Sequence, residues 1–154
     1  MTTNDARTTA SIRLRAMQPQ DFDEIVPLLK QLWPARPIDV PAARALFARG
    51  LASDRRAYLC ACQEDRIVGV CTLIIRDCLW LQGDVGYLCD LVVHESQRGA
   101  GIGTALVEKA AEIAQARGCL RLELDSGFHR PEAHRFYEHR GFEKRAFLFS
   151  RVLT

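Results

Sequence analysis

The sequence of 154 residues has no apolar run that approaches the length of a membrane-spanning helix. Its net charge is only +2, whereas a dedicated nucleic-acid-binding domain usually carries a stronger basic excess. Residues 1–11 are polar and hold no apolar core of a secretory signal, so we expect a disordered N-terminal tail there. These absences favour a cytoplasmic protein with neither a membrane nor a nucleic acid as its partner.

Paired cysteines are also missing, although the chain contains six. None of them forms a Cys-x-x-Cys pair, and the four histidines lack the spacing of metal ligands, so we expect no metal site. Five of the six cysteines lie in or beside apolar, strand-like runs, where a free thiol behaves as a small hydrophobic side chain. This usage is typical of a reducing compartment.

Hydrophobic residues make up 48% of the chain and charged residues 26%, which suits one folded domain over residues 12–154. The apolar periodicity predicts elements in the order β-α-α-β-β-β-α-β-α-β, a mixed α/β arrangement of the α+β class. The predicted strands cover 12–16, 58–63, 67–75, 85–93, 120–124 and one or two segments within 142–152. The predicted helices cover 21–32, 41–51, 102–117 and a short segment that starts at 131.

The most informative segment joins the strand ending Leu91-Val92-Val93 to the helix that starts at Ile102. It contains Gly99, Gly101 and Gly103 on alternate residues, and such a turn exposes backbone N–H groups at a helix N-terminus, where phosphate oxygens bind. A Walker loop would need a lysine before Thr104, and a dinucleotide fingerprint would need a glycine at Thr104. The remaining interpretation is a pyrophosphate loop for coenzyme A.

Two motifs carry a resemblance to a known family. Residues 98–103, Arg-Gly-Ala-Gly-Ile-Gly, resemble the Arg/Gln-x-x-Gly-x-Gly/Ala signature of the GCN5-related N-acetyltransferases. Residues 133–142, Ala-His-Arg-Phe-Tyr-Glu-His-Arg-Gly-Phe, resemble the family's second signature, Ala-x-x-Phe/Leu-Tyr-x-x-x-Gly-Phe. Residues 126–137 are similar to the aminoalkylphosphonate N-acetyltransferase branch, and residues 87–90 to a strand of the spermidine/spermine acetyltransferases.

The resemblance implies a central, mostly antiparallel mixed sheet flanked by helices, and transfer of an acetyl group from acetyl-CoA to a primary amine. The acceptor would be a small molecule or a peptide, and a homodimer is compatible with the sequence. By the same resemblance, Tyr137 is the general acid. The residues implied in binding acetyl-CoA are Leu91, Val92, Val93, Arg98, Gly99, Ala100, Gly101, Ile102, Gly103, Thr104, Arg130 and Phe136.

The general base stays open at the level of the sequence. Asp90 is the interior carboxylate of the strand before the glycine turn, so it could be the base, bind the substrate ammonium or pair with a basic neighbour. Tyr87 could pass a proton through water, and Glu123 and Asp125 are further carboxylates.

Three alternatives to this interpretation stay open as well. Cys89 could carry the acetyl group as a nucleophile, in place of direct transfer in a ternary complex. Arg130 stands where many family members have an asparagine, and could contact CoA or an acidic substrate. A non-catalytic acyl-CoA-binding sensor of the same fold is the alternative function.

Overall fold

A computed structural model describes residues 11–154, so the predicted tail lies outside the described residues except for Ser11. The described chain falls into two compact units, one reaching to Glu123 and the other spanning Leu124–Thr154. Whether residues 12–154 form one acetyltransferase domain stays a prediction.

The first unit is built on a five-stranded sheet in the order β1-β2-β3-β4-β5. Its strands are β1 (Arg13–Ala16), β2 (Arg56–Gln63), β3 (Arg66–Cys78), β4 (Gly83–Val93) and β5 (Arg121–Glu123). All neighbouring strands are antiparallel except β4 and β5, which are parallel. The predicted mixed, mostly antiparallel sheet is therefore confirmed.

Helices of the first unit cover both faces of this sheet. They are α1 (Phe22–Leu32), α2 (Val40–Leu51) and α3 (Ile102–Ala116). The second unit contains α4 (Pro131–Glu138). Phe22 of α1 and Phe47 of α2 pack with Cys60, Val70 and Val92 in one core cluster. This face of the sheet is called the α1/α2 face.

The opposite face packs against α3. A Cβ added at Gly69 of β3 would lie 3.1 Å from both Ile102 and Leu106 of α3, so glycine lets the helix approach the strand closely and a side chain there would force these two residues to shift. Leu73 and Ile75 of β3 pack on the same side with Ala114. Among the described residues, no helix is long and apolar enough to cross a bilayer.

Two sequence predictions differ from the structure. The segment 142–152 forms no strand, because alternating apolar residues make a strand only where a partner edge accepts their backbone hydrogen bonds. Strand β3 is also longer than the predicted 67–75, since Arg76–Cys78 belong to it and only residues 79–82 connect it to β4. The other predicted elements are present within a few residues of their predicted ends.

Candidate active site

Strand β4 has partners on both sides only along its first half. On one side it pairs with β3 along its whole length, from Gly83 to Val93. On the other side β5 pairs only with Val85, Gly86 and Tyr87. Beyond Tyr87, the second half of β4 therefore has an open edge in the sheet of the first unit.

Backbone groups on this open edge belong to alternate residues. The His94 N–H donates to the Val68 carbonyl of β3 at 2.8 Å. Because successive peptide groups of a strand point in opposite directions, the N–H and C=O groups of Val93 and Leu91 point to the open edge. The N–H and C=O groups of Val92 point to β3, and its side chain is buried in the core. Val92 therefore holds the edge in place but presents no group to a ligand.

A β-bulge interrupts β4 where the open edge starts. The pairing moves from Leu73 opposite Leu88 to Thr72 opposite Asp90, which leaves Cys89 as the extra residue. A bulge bends its strand and redirects the neighbouring side chains. It therefore brings Tyr87, Cys89 and Asp90 towards the same face of the sheet, although strict alternation would put Asp90 on the other face from Tyr87.

The glycine turn follows directly. A 3₁₀ turn over Glu95–Gln97 follows the end of β4. After it, Gly99 and Gly101 adopt φ angles of 82° and 80°. No atom lies within 4 Å of a Cβ built at either position, so an open space adjoins the turn. Ala100 between them is exposed.

The first turn of α3 is capped by Gly101, which has no side chain to accept from the helix N–H groups. The first helical hydrogen bond runs from the Ala105 N–H to the Gly101 carbonyl at 3.0 Å. Ile102, Gly103 and Thr104 form this turn, and the Ile102 side chain is only 2% exposed, so Ile102 can meet a ligand through its backbone alone. This geometry fits an anion.

Arg98 connects the turn to the open edge. Its Nε donates to the Val93 carbonyl at 3.1 Å, while the side chain stays exposed. The guanidinium therefore adds positive charge between the last edge residue of β4 and the N-terminus of α3.

The carboxylates predicted as bases have different partners. Asp90 accepts a hydrogen bond from the Thr72 hydroxyl, and it forms no ion pair among the residues that the structure describes. Glu123 lies 3.3 Å from the Arg76 guanidinium, which also stacks over the Tyr87 ring at 4.1 Å. Pairing with a basic neighbour, one of the three roles considered for Asp90, is thus not found in residues 11–154.

The Cys89 thiol is not activated as a nucleophile. Its surroundings desolvate the sulfur and the Asp90 carboxylate repels a thiolate, and both raise the pKa of Cys89. Arg56 and Arg76 act in the opposite direction without overcoming this. An acyl-carrying cysteine needs a depressed pKa, which this site does not supply.

The second unit holds the residues of the second motif. Tyr137 lies on α4, and its ring packs edge-on against the rings of Phe136 and Phe142, with centroids 5.2 and 5.6 Å away. The Arg140 guanidinium lies over the Phe136 ring, with its central carbon 3.7 Å from the ring centroid. Arg130 is the N-cap residue of α4 and makes no side-chain capping bond. Tyr137 is held by aromatic contacts on its own helix and on the segment that follows.

Arg56 and Tyr58 of β2 are residues that the sequence interpretation missed. The Arg56 guanidinium donates to the Tyr58 hydroxyl at 3.2 Å, on the α1/α2 face where Tyr58 stacks on Phe47. The only available signal was their i, i+2 spacing in a strand, which indicates a shared face but not the strand's neighbours.

No group of three or more histidine, cysteine or acidic side chains in residues 11–154 is arranged to hold a metal ion.

Comparisons with known proteins agree with this geometry. The model of the acetyltransferase (GNAT) family matches residues 22–142. A glucosamine 6-phosphate N-acetyltransferase of Trypanosoma brucei brucei is 34% identical over 133 residues, covering 85% of this chain and 88% of that protein. An aminoalkylphosphonate N-acetyltransferase of Salmonella typhimurium is 31% identical over 140 residues, covering 91% of this chain and 90% of that protein.

A solved structure described as a transcriptional regulator from Bacillus halodurans C-125 superposes with a TM-score of 0.84. It is 28% identical, and the match covers 93% of this chain and all of that one. The family uses acetyl-CoA as its cosubstrate. The chain belongs to the GNAT family of acetyltransferases and transfers an acetyl group to an amine.

Proposed function

We propose that this protein binds acetyl-CoA and acetylates a primary amine by direct attack in a ternary complex. The observation that carries the proposal is the open edge of β4, which leads through the bulge and the glycine turn into the N-terminus of α3. An edge of free peptide groups suits an extended, amide-containing arm, and a helix N-terminus suits a pyrophosphate. The two features lie in the order in which CoA carries these groups.

The residues fit this cosubstrate as follows. Leu91 and Val93 would hydrogen-bond the pantetheine arm through their peptide groups, and Val92 would hold the edge in place. The pyrophosphate would lie against the N–H groups of Gly99 to Thr104, with the Arg98 guanidinium beside it. The family resemblance implies that Phe136 and Arg130 also bind CoA. When bound, acetyl-CoA supplies the activated acetyl thioester.

Proton transfers accompany the acetyl transfer. The acceptor arrives as an ammonium and must lose one proton to expose its lone pair. The nitrogen then bonds to the acetyl carbon as the carbon–sulfur bond breaks, and the sulfur takes a proton from the Tyr137 phenol. The second proton lost by the nitrogen restores the phenol, so the reaction releases one proton overall.

Asp90 is our candidate for the group that receives the acceptor ammonium. Its carboxylate is half-buried, is hydrogen-bonded by Thr72, and adjoins the open edge where the thioester would lie. Glu123 is a weaker candidate because Arg76 already neutralises it. Asp90 would bind the ammonium and take its proton directly or through water.

Direct transfer is favoured over a cysteine intermediate because the pKa of Cys89 is raised. We also propose a cytoplasmic location, since all six cysteines are free thiols, as a reducing compartment would keep them.

Calorimetric titration of acetyl-CoA, with NADH and ATP as controls, tests the cosubstrate. A thiol-release assay over a panel of amines tests the reaction in the same buffer. We expect acetyl-CoA to bind, NADH and ATP not to bind, and the release of thiol to depend on the amine. Binding without release by any amine would favour a sensor, and absence of acetyl-CoA binding would refute the proposal.

A further inference from the structure

Polar side chains form two rows across the α1/α2 face of the sheet, next to the open edge. In the first row, Tyr58 of β2 lies opposite Thr72 of β3, and Thr72 lies opposite Asp90 of β4. Within this row the Thr72 hydroxyl donates to Asp90. Arg56, two residues before Tyr58 on β2, donates to the Tyr58 hydroxyl, so its side chain lies on the same face. The first row thus connects β2 to the bulge of β4.

The second row crosses the same strands two residues further along β2 and β3. Arg56 lies opposite Ile74, Ile74 opposite Tyr87, and Tyr87 opposite Glu123 of β5. Arg76 reaches into this row, since it stacks on Tyr87 and pairs with Glu123. Both Arg56 and Arg76 act electrostatically on the Cys89 thiol, which places their charges near the bulge.

Two charges in these rows lack a counter-charge. Among the residues that the structure describes, Arg56 pairs with no carboxylate, and Asp90 pairs with no cation. Both side chains are half-buried, so water screens them less than it would on an open surface. Arg76, by contrast, is neutralised by Glu123.

The two unpaired charges are too far apart to neutralise each other. They lie on β2 and β4, two strand spacings apart and two residues out of line, so their Cα atoms are about 12 Å apart. A ligand with a cation at one end and an anion at the other could bridge this gap.

We infer that the acceptor is an amine that also carries an anionic group, held by Arg56 at the anion while Asp90 receives the amine. The inference rests on the proposed function, because it assigns the acceptor of that same site. Arg56 is then a specificity-determining residue, since the guanidinium binds a phosphate, phosphonate or carboxylate through two donors. Tyr58 orients it through their hydrogen bond.

The test compares acceptors that differ only by the anionic group. We would measure kcat and KM for glucosamine 6-phosphate against glucosamine, and for 2-aminoethylphosphonate and β-alanine against propylamine. We expect at least one anionic amine to exceed its neutral partner by about 10- to 100-fold in kcat/KM, as for a charge-assisted hydrogen bond. The phosphonate and β-alanine arms separate a phosphorus oxyanion from a carboxylate.

Arg56→Gln should abolish this preference, mainly by raising KM for the anionic amine. Arg55→Gln is the matched control, because Arg55 precedes Arg56 in the chain but binds Asp84 at 3.0 and 3.1 Å. That variant should keep the preference.

Equal kcat/KM for the charged and neutral partners in the wild type would overturn the inference. So would an Arg56→Gln variant that loses both activities in proportion, or an enzyme that acetylates the neutral amines and none of these anionic ones. Failure of the proposed function itself looks different, since acetyl-CoA would then not bind, or no amine, anionic or neutral, would release thiol from it.

Discussion

The open edge of β4 and the α1/α2 face beside it share one strand but differ in what they offer a ligand. The edge and the glycine turn present backbone N–H and C=O groups from Leu91 to Gly103, with Arg98 as the charged side chain between them. The face presents side chains, among them Arg56, Tyr87 and Asp90. Backbone groups are the same in every sequence, whereas side chains can change without altering the fold.

Because the edge offers backbone groups and the face offers side chains, one scaffold can keep the same cosubstrate while its acceptor changes. Substitutions on the face should alter the choice of amine and leave acetyl-CoA binding intact. Substitutions at the edge and the turn should weaken acetyl-CoA binding whatever the amine.

The largest effect is expected from Gly101→Asp. A carboxylate about 5 Å from the pyrophosphate would cost about 3 kcal/mol at an effective dielectric constant of 20, or ~100-fold in affinity. Calorimetry of acetyl-CoA binding measures this loss. Gly118→Asp is the matched control, because Gly118 has a similar φ of 76° and open space around it but lies at the other end of α3. Equal affinities for the two variants would remove the glycine turn from the site.

Tyr137→Phe should lower kcat by about 100-fold, the effect of losing a positioned general acid. The phenyl ring keeps the edge-on contacts with Phe136 and Phe142, so folding should be unchanged. Steady-state kinetics measure kcat, and calorimetry should give the wild-type affinity for acetyl-CoA. A variant with full turnover would return Tyr137 to a packing role.

Leu91→Pro should weaken acetyl-CoA binding by about fivefold, because it removes one backbone donor from the open edge and one hydrogen bond contributes about 1 kcal/mol. Proline is tolerated where the N–H faces away from the ladder, as it does here. Leu91→Ala, which keeps the N–H and shortens the side chain, is the control in the same binding assay. If alanine weakens binding as much as proline does, the side chain and not the edge makes the contact.

Cys89→Ala should have the smallest effect, a change in kcat of no more than about threefold, because a thiol with a raised pKa contributes little nucleophile. Mass spectrometry of the wild type mixed with acetyl-CoA alone should show no acetylated enzyme. An acetyl adduct on Cys89 together with an inactive alanine variant would establish the two-step route and refute direct transfer.

Much of the fold follows from patterns that act over a few residues. The apolar spacing of 102–116 predicted α3, because one buried face imposes a helical period, and apolar runs next to turn residues predicted β2, β3 and β4. The closing apolar segment wrongly predicted strands within 142–152. A strand also needs a partner edge, and no local pattern says whether one is present.

The glycine turn and the order of the elements around it follow from the amino-acid sequence alone. Only glycine adopts φ angles near 80° at little cost, so Gly99 and Gly101 mark a turn whatever surrounds it. Tertiary structure alone decided that β5 leaves β4 after Tyr87, and that a bulge at Cys89 aligns Asp90 with Thr72. Both depend on register, and a shift of one residue moves a side chain to the other face of a sheet.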